Sequence, residues 1–130
     1  MTESRHLSVS IDRPLADVYA FASDPRNLPR WAPGLGSAIE PDGDGWFVDT
    51  PQGRVGLTFA PSNAFGVLDH VVRTPTGEMV YVPVRAIADG HGTEVVFTLR
   101  RGPEMSDADL ERDTALVTAD LALLKELLES

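Results

Sequence analysis

Apolar and polar residues alternate from Leu7 to Ile11, with Leu7, Val9 and Ile11 set against Ser8 and Ser10. That period of two predicts a first strand with one wet face. Asp12-Arg13-Pro14 stops it, and Pro14 suits the first turn of a short amphipathic helix through Leu15, Val18, Tyr19, Phe21 and Ala22. Ser23-Asp24-Pro25 then predicts a second short helix over Arg26 to Trp31, which Pro33 and Gly34 must end.

From Ser37 to Arg101 the alternation returns, as Trp46/Val48, Val55/Leu57/Phe59, Leu68/His70/Val72, Met79 to Arg85 and Val95/Phe97/Leu99. Clusters of Pro, Gly, Asp, Asn and Thr separate these runs, so the segment reads as an antiparallel meander of about six strands. The last segment opens at Ser106, a plausible cap with acids behind it, and runs without Gly or Pro to Glu129. Its stripe of Leu110, Val117, Leu121, Leu124 and Leu128 predicts one long helix, and Leu116, Leu123 and Leu127 widen the apolar face.

The order of elements predicts an α+β fold. A seven-stranded, antiparallel, curved sheet wraps around the long C-terminal helix, and two short helices follow strand one. Such a sheet does not close tightly on one helix, so the gap between them is a natural cavity for a small molecule. At 130 residues the chain fits one domain, residues 1–130.

Composition narrows the partners. A formal net charge of -9 repels phosphate backbones and anionic headgroups, which argues against nucleic acid. The absence of cysteine excludes disulfides, thiolate metal sites and cysteine nucleophiles. No window holds the roughly 20 apolar residues of a membrane helix, and the first residues lack an apolar leader, so a cytoplasmic protein without integral membrane contact is expected. The three histidines show no paired metal spacing and no phosphate-binding glycine loop precedes a helix, so neither metal nor cofactor is expected.

The segment SVSIDRPLADVYAFASDPRNLPRWAPG resembles the opening of the START-like (SRPBCC) superfamily of polyketide cyclases/dehydrases and lipid-transport proteins. Those proteins begin with a strand and a proline-led helix carrying a Val-Tyr/Trp-x-Phe pattern, and a Leu-Pro-x-Trp element follows, matched here by Leu28-Pro29-Arg30-Trp31. The DGHGTEVVFTL hairpin and the closing DLALLKELL helix fit as well, so the resemblance covers nearly the whole chain. It implies the Bet v 1-like helix-grip fold. It leaves function open among cyclases, carriers, receptors and chaperone regulators.

Within the run GVLDHVVR, Asp69 and His70 are neighbours and must point to opposite faces of a strand. An ionised Asp with Arg73 is the costlier group to bury, so Asp69 is expected outside and solvated, and His70 inside. A four-residue loop from Thr74 to Gly77 would set Arg73 opposite Glu78 and His70 opposite Tyr81. A three-residue loop from Asp89 to His91 keeps Tyr81 and Arg85 on the inner face. A four-residue loop there, or a bulge at Pro83, would instead turn Val82 and Val84 inward.

On the long helix Asp113 lies in the covering face, three after Leu110 and four before Val117, and Asp120 repeats the offset one heptad on. His70 and Asp113 are the candidate catalytic acid/base groups. Each has a plainer alternative: a satisfied core histidine, and an acid at the mouth or paired with an arginine. Trp31 can line the cavity entrance, as in the family it resembles, or the core. Phe59, Phe97 and Val117, with Tyr81 and Arg85, complete the candidate ligand-binding set.

The expected function is therefore binding of a small hydrophobic molecule, aromatic, polyketide-like or lipid, in the internal cavity. An alternative is a polyketide cyclase or dehydratase using His70 or Asp113 as general acid/base. A third is a protein-interaction module, or a homodimer, through the outer valines Val67, Val71, Val80 and Val82.

Overall fold

The computed structural model describes residues 2–33 and 38–130. The readings placed on Gly34 and Ser37, a helix end and the start of the meander, lie outside them. β1 (Ser4–Ile11) leads into α1 (Leu15–Ala22), a single turn of 3-10 helix (Pro25–Asn27) and α2 (Leu28–Trp31). The expected second helix thus splits at Leu28. Asp24 caps the tight turn by accepting the Arg26 N–H, and the short α2 then buries Leu28 and Trp31.

Seven further strands follow: β2 (Glu40–Asp42), β3 (Gly45–Thr50), β4 (Gly53–Phe59), β5 (His70–Arg73), β6 (Met79–Val82), β7 (Val84–Asp89) and β8 (Gly92–Arg100). The expected seven-stranded sheet is therefore corrected to eight strands in two antiparallel sheets, in the orders β1-β8-β7 and β2-β3-β4-β5-β6. Two features escape hydrophobic patterning. β2 is Glu-Pro-Asp, wholly exposed, and is a strand only because it pairs with β3. The run from Met79 to Arg85 breaks at Pro83, which has no N–H to donate to a ladder.

The two sheets join where β5 changes partner. Ahead of Asp69 the chain lies along β7: the Leu68 N–H donates to the Val84 carbonyl (2.8 Å), and the Ala86 N–H to Gly66 (2.8 Å). Beyond Asp69 it pairs with β4 and β6. Gly66 makes the approach possible, since it sits at φ 73° and a Cβ there would lie 2.1 Å from the Ala86 carbonyl oxygen.

α3 (Asp107–Glu129) starts at a capping box in which the Ser106 hydroxyl accepts the Asp109 N–H and the Asp109 carboxylate accepts the Ser106 N–H, both at 3.1 Å. Its far end is tied to β1 by Lys125, whose Nζ donates to the Ser10 carbonyl (2.6 Å), and to the turn after β1 by Arg13, which donates to the Leu128 carbonyl (2.7 Å). Among the described residues no helix is long and apolar enough to cross a membrane.

Candidate functional site

The burial pattern of α3 locates the site. Leu110 is buried, and so are Leu121, Leu124 and Leu128, but the residues between them on the same face are not sealed against the sheet. Asp113, Val117 and Asp120 instead line a hollow of about 270 Å³ between α3 and the sheets. Leu28 and Trp31 of α2 form one wall, His70, Val72 and Val82 the sheet side, and Phe97 and Leu99 of β8 the rest. A second, inner hollow of about 30 Å³ lies behind Leu28, Trp31 and His70, with Phe59 in its lining.

His70 faces this cavity as the parity of β5 requires. Its ring lies 5.5 Å from that of Phe59, tilted by 44°. Nδ1 is 3.2 Å from the Leu68 carbonyl. A carbonyl only accepts, so Nδ1 carries the proton in that bond and Nε2 is left as an unprotonated acceptor. Burial holds the His70 pKa below its ordinary value, against smaller opposing effects of the Leu68 carbonyl and the nearby Asp69 charge. At neutral pH His70 is a neutral base.

Tyr81 and Arg85 are elsewhere, which corrects the inward placement expected for them. The β5–β6 loop has five residues, Thr74 to Glu78, so Arg73 faces Met79, His70 faces Val82 and Val71 faces Tyr81. The β7–β8 loop has two, Gly90 and His91, so Val84 faces Phe97 and Ala86 faces Val95. Each register differs by one residue from the expectation, and one residue is enough to reverse a face. Val82 and Val84 point inward together, so Pro83 breaks the ladder without flipping it. Val82 leaves the outer valine set with them, and Val67 borders the inner hollow.

Both displaced side chains close over Asp69. This residue lies on the outer face as expected but is only 3% exposed, and the expected solvated carboxylate is corrected to a buried one. Its Oδ1 accepts the Val84 N–H (2.9 Å) and Arg85 Nε–H (2.9 Å), and its Oδ2 accepts from Arg85 Nη2 (2.8 Å) and the Tyr81 hydroxyl (2.5 Å). The Arg85 hydrogen bonds, helped by Tyr81 and Val84, overcome burial and hold the Asp69 pKa down to about 2. The carboxylate takes over a duty the broken ladder cannot perform, since Val84 is buried and its N–H would otherwise lack an acceptor.

The acids of α3 differ from Asp69 and from each other. Asp113 lies at the cavity mouth with Arg112 Nε 3.7 Å away. Asp120, one heptad on, has no hydrogen-bond or ion-pair partner among the described residues, and burial alone pushes its pKa up to about 6. Sequence spacing put Asp120 on the cavity face but did not single it out. Its signal was the absence of any basic residue three or four positions away. The Trp31 indole, 7% exposed, both packs in the core and lines the two hollows, and its buried Nε1–H has no acceptor among the described residues.

No protein-family model and no curated protein matches the sequence. Solved structures do. The chain is similar to Ara h 8.0201, with a TM-score of 0.74 and 14% identity over 98% of each chain. It is similar to the Zhui aromatase/cyclase from a Streptomyces species, with a TM-score of 0.68 and 16% identity over 99% of this chain and 94% of that one. DynU16, a protein in the dynemicin biosynthetic locus, gives a TM-score of 0.72 and 18% identity over 98% of this chain. Here the match covers 47% of DynU16, so this chain spans about half its length. Likeness at these identities shows the fold alone, a helix-grip fold, and leaves the ligand to the site itself.

Proposed function

We propose that the protein binds a small hydrophobic molecule, aromatic, polyketide-like or lipid, in the cavity between the sheets and α3. The observation that carries this reading is the interrupted packing of α3, which leaves an apolar hollow of about 270 Å³ beside Trp31, Val72, Phe97 and Val117. A structural core closes such a gap, because unfilled apolar volume costs about 24 cal/mol per Å³. A ligand repays that cost by filling it. Solved proteins of the same fold include an aromatase/cyclase, which is consistent with an aromatic or polyketide-like guest. Native mass spectrometry of protein from its own host tests the reading: a non-covalent adduct that organic solvent removes is expected. Protein that is empty and also fails to take up an apolar fluorescent dye overturns it.

A second reading is favoured by the free Nε2 of His70. A neutral imidazole facing a ligand and the Asp113 carboxyl group on the opposite wall form an acid/base pair suited to cyclisation or dehydration. Tyr81 and Arg85 have no part in it, being occupied by Asp69. With a poly-β-keto substrate, His70→Ala and Asp113→Asn are expected to abolish turnover while affinity and Tm stay nearly unchanged. Full activity in both variants, or loss of binding alone, removes catalysis from these residues.

A further inference from the structure

Once Arg85 is placed on the outer face, the charge of the cavity changes sign. Its lining contains two carboxylates, Asp113 and Asp120, and no lysine or arginine. Arg112 partly offsets Asp113 from the solvent side, at 3.7 Å, whereas Asp120 has no counter-charge among the described residues. The remaining titratable group in the lining is His70, which faces the cavity from β5. The residues that α2, β6 and β8 contribute to the lining are all apolar apart from the Trp31 indole.

We propose that the cavity selects uncharged hydrophobic molecules and excludes carboxylates, with Asp120 as the residue that excludes them. The proposal rests on the binding reading and names the ligand chemistry at that site. A hydroxyl on such a molecule can donate to His70 Nε2, which faces the cavity from β5. A carboxylate of the same shape would bring a negative charge into a partly desolvated space already holding Asp120, where like charges repel. The overall charge of -9 adds to the barrier at longer range.

Two molecules of matched shape decide the matter: naphthyl methyl ketone and its anionic isostere, naphthoate. At pH 8 the wild-type protein is expected to bind the ketone at least ~10-fold more tightly. Asp120→Asn is expected to raise naphthoate affinity by about tenfold and to leave the ketone within about twofold. Naphthoate stays ionised at pH 5, whereas Asp120, with a pKa of about 6, takes up a proton. Lowering the pH from 8 to 5 should therefore strengthen naphthoate binding to the wild type, and Asp120→Asn should remove most of that pH dependence. Equal affinity of the wild type for both molecules, or equal shifts of both in Asp120→Asn, overturns the charge selection and leaves the binding reading standing. If neither molecule binds any variant, the binding reading falls and the selection with it.

Discussion

Asp69 and His70 are consecutive residues with opposite fates. On the outer face Asp69 has both oxygens filled by four hydrogen bonds, from a backbone amide, a phenol and a guanidinium. On the inner face His70 spends one ring nitrogen on a carbonyl and keeps the other free in a hollow. A saturated polar group holds structure, because every partner it could offer a ligand is taken. An unsaturated one is available for chemistry. The difference lies in what the neighbouring strands bring, and the residue types alone do not disclose it.

The largest effect should come from emptying the saturated side. Asp69→Ala leaves the buried Val84 N–H without an acceptor and releases Arg85, and should cost about 3 kcal/mol in denaturant unfolding. The sign of the pH effect follows from the depressed pKa. Asp69 contributes its stabilisation fully above the unfolded value of about 3.8 and loses it as pH falls through about 2. The gap between wild type and variant should thus be flat above pH ~5 and shrink toward pH ~2. A gap that persists undiminished in strong acid would place the effect in packing.

Tyr81→Phe removes one of the four donors while Arg85 and Val84 remain, and Tyr81 is 53% exposed. Its Tm should fall by no more than about 4 °C in a calorimetric scan. Smallest of all should be His70→Phe, which keeps an aromatic ring against Phe59 and gives up one 3.2 Å hydrogen bond, with Tm within about 2 °C of wild type. A larger loss for His70→Phe than for Asp69→Ala would reverse the comparison and make His70 the structural member of the pair.

Much of the fold was legible along the chain because its signals are local. Pro14 and Asp24 mark helix starts, Ser106 and Asp109 cap α3, and the leucine stripe of α3 fixes which side meets the sheet. The site was legible in part: Trp31, His70, Phe97, Asp113 and Val117 line the outer hollow and Phe59 the inner one. Tyr81 and Arg85 were misplaced because their face depends on two loop lengths, and each loop differs by one residue from the length expected of it. The cost of burying a charge also misled for Asp69, because that cost vanishes when a guanidinium, a phenol and an orphaned amide converge on it. Val82 and Leu99 carried no chemical signal at all, being ordinary apolar residues whose place in the wall follows from register.

The sequence by itself determined the order of elements, the buried stripe of α3 and the opposition of Asp69 to His70, since helix and strand periods follow from covalent geometry. Tertiary structure alone decided where strand pairing switches at Asp69 and Pro83, which side chains reach the cavity, and that its charge is acidic. Those outcomes rest on loop closure and on the pairing of polar groups far apart in sequence. Neither leaves a periodic mark on the chain.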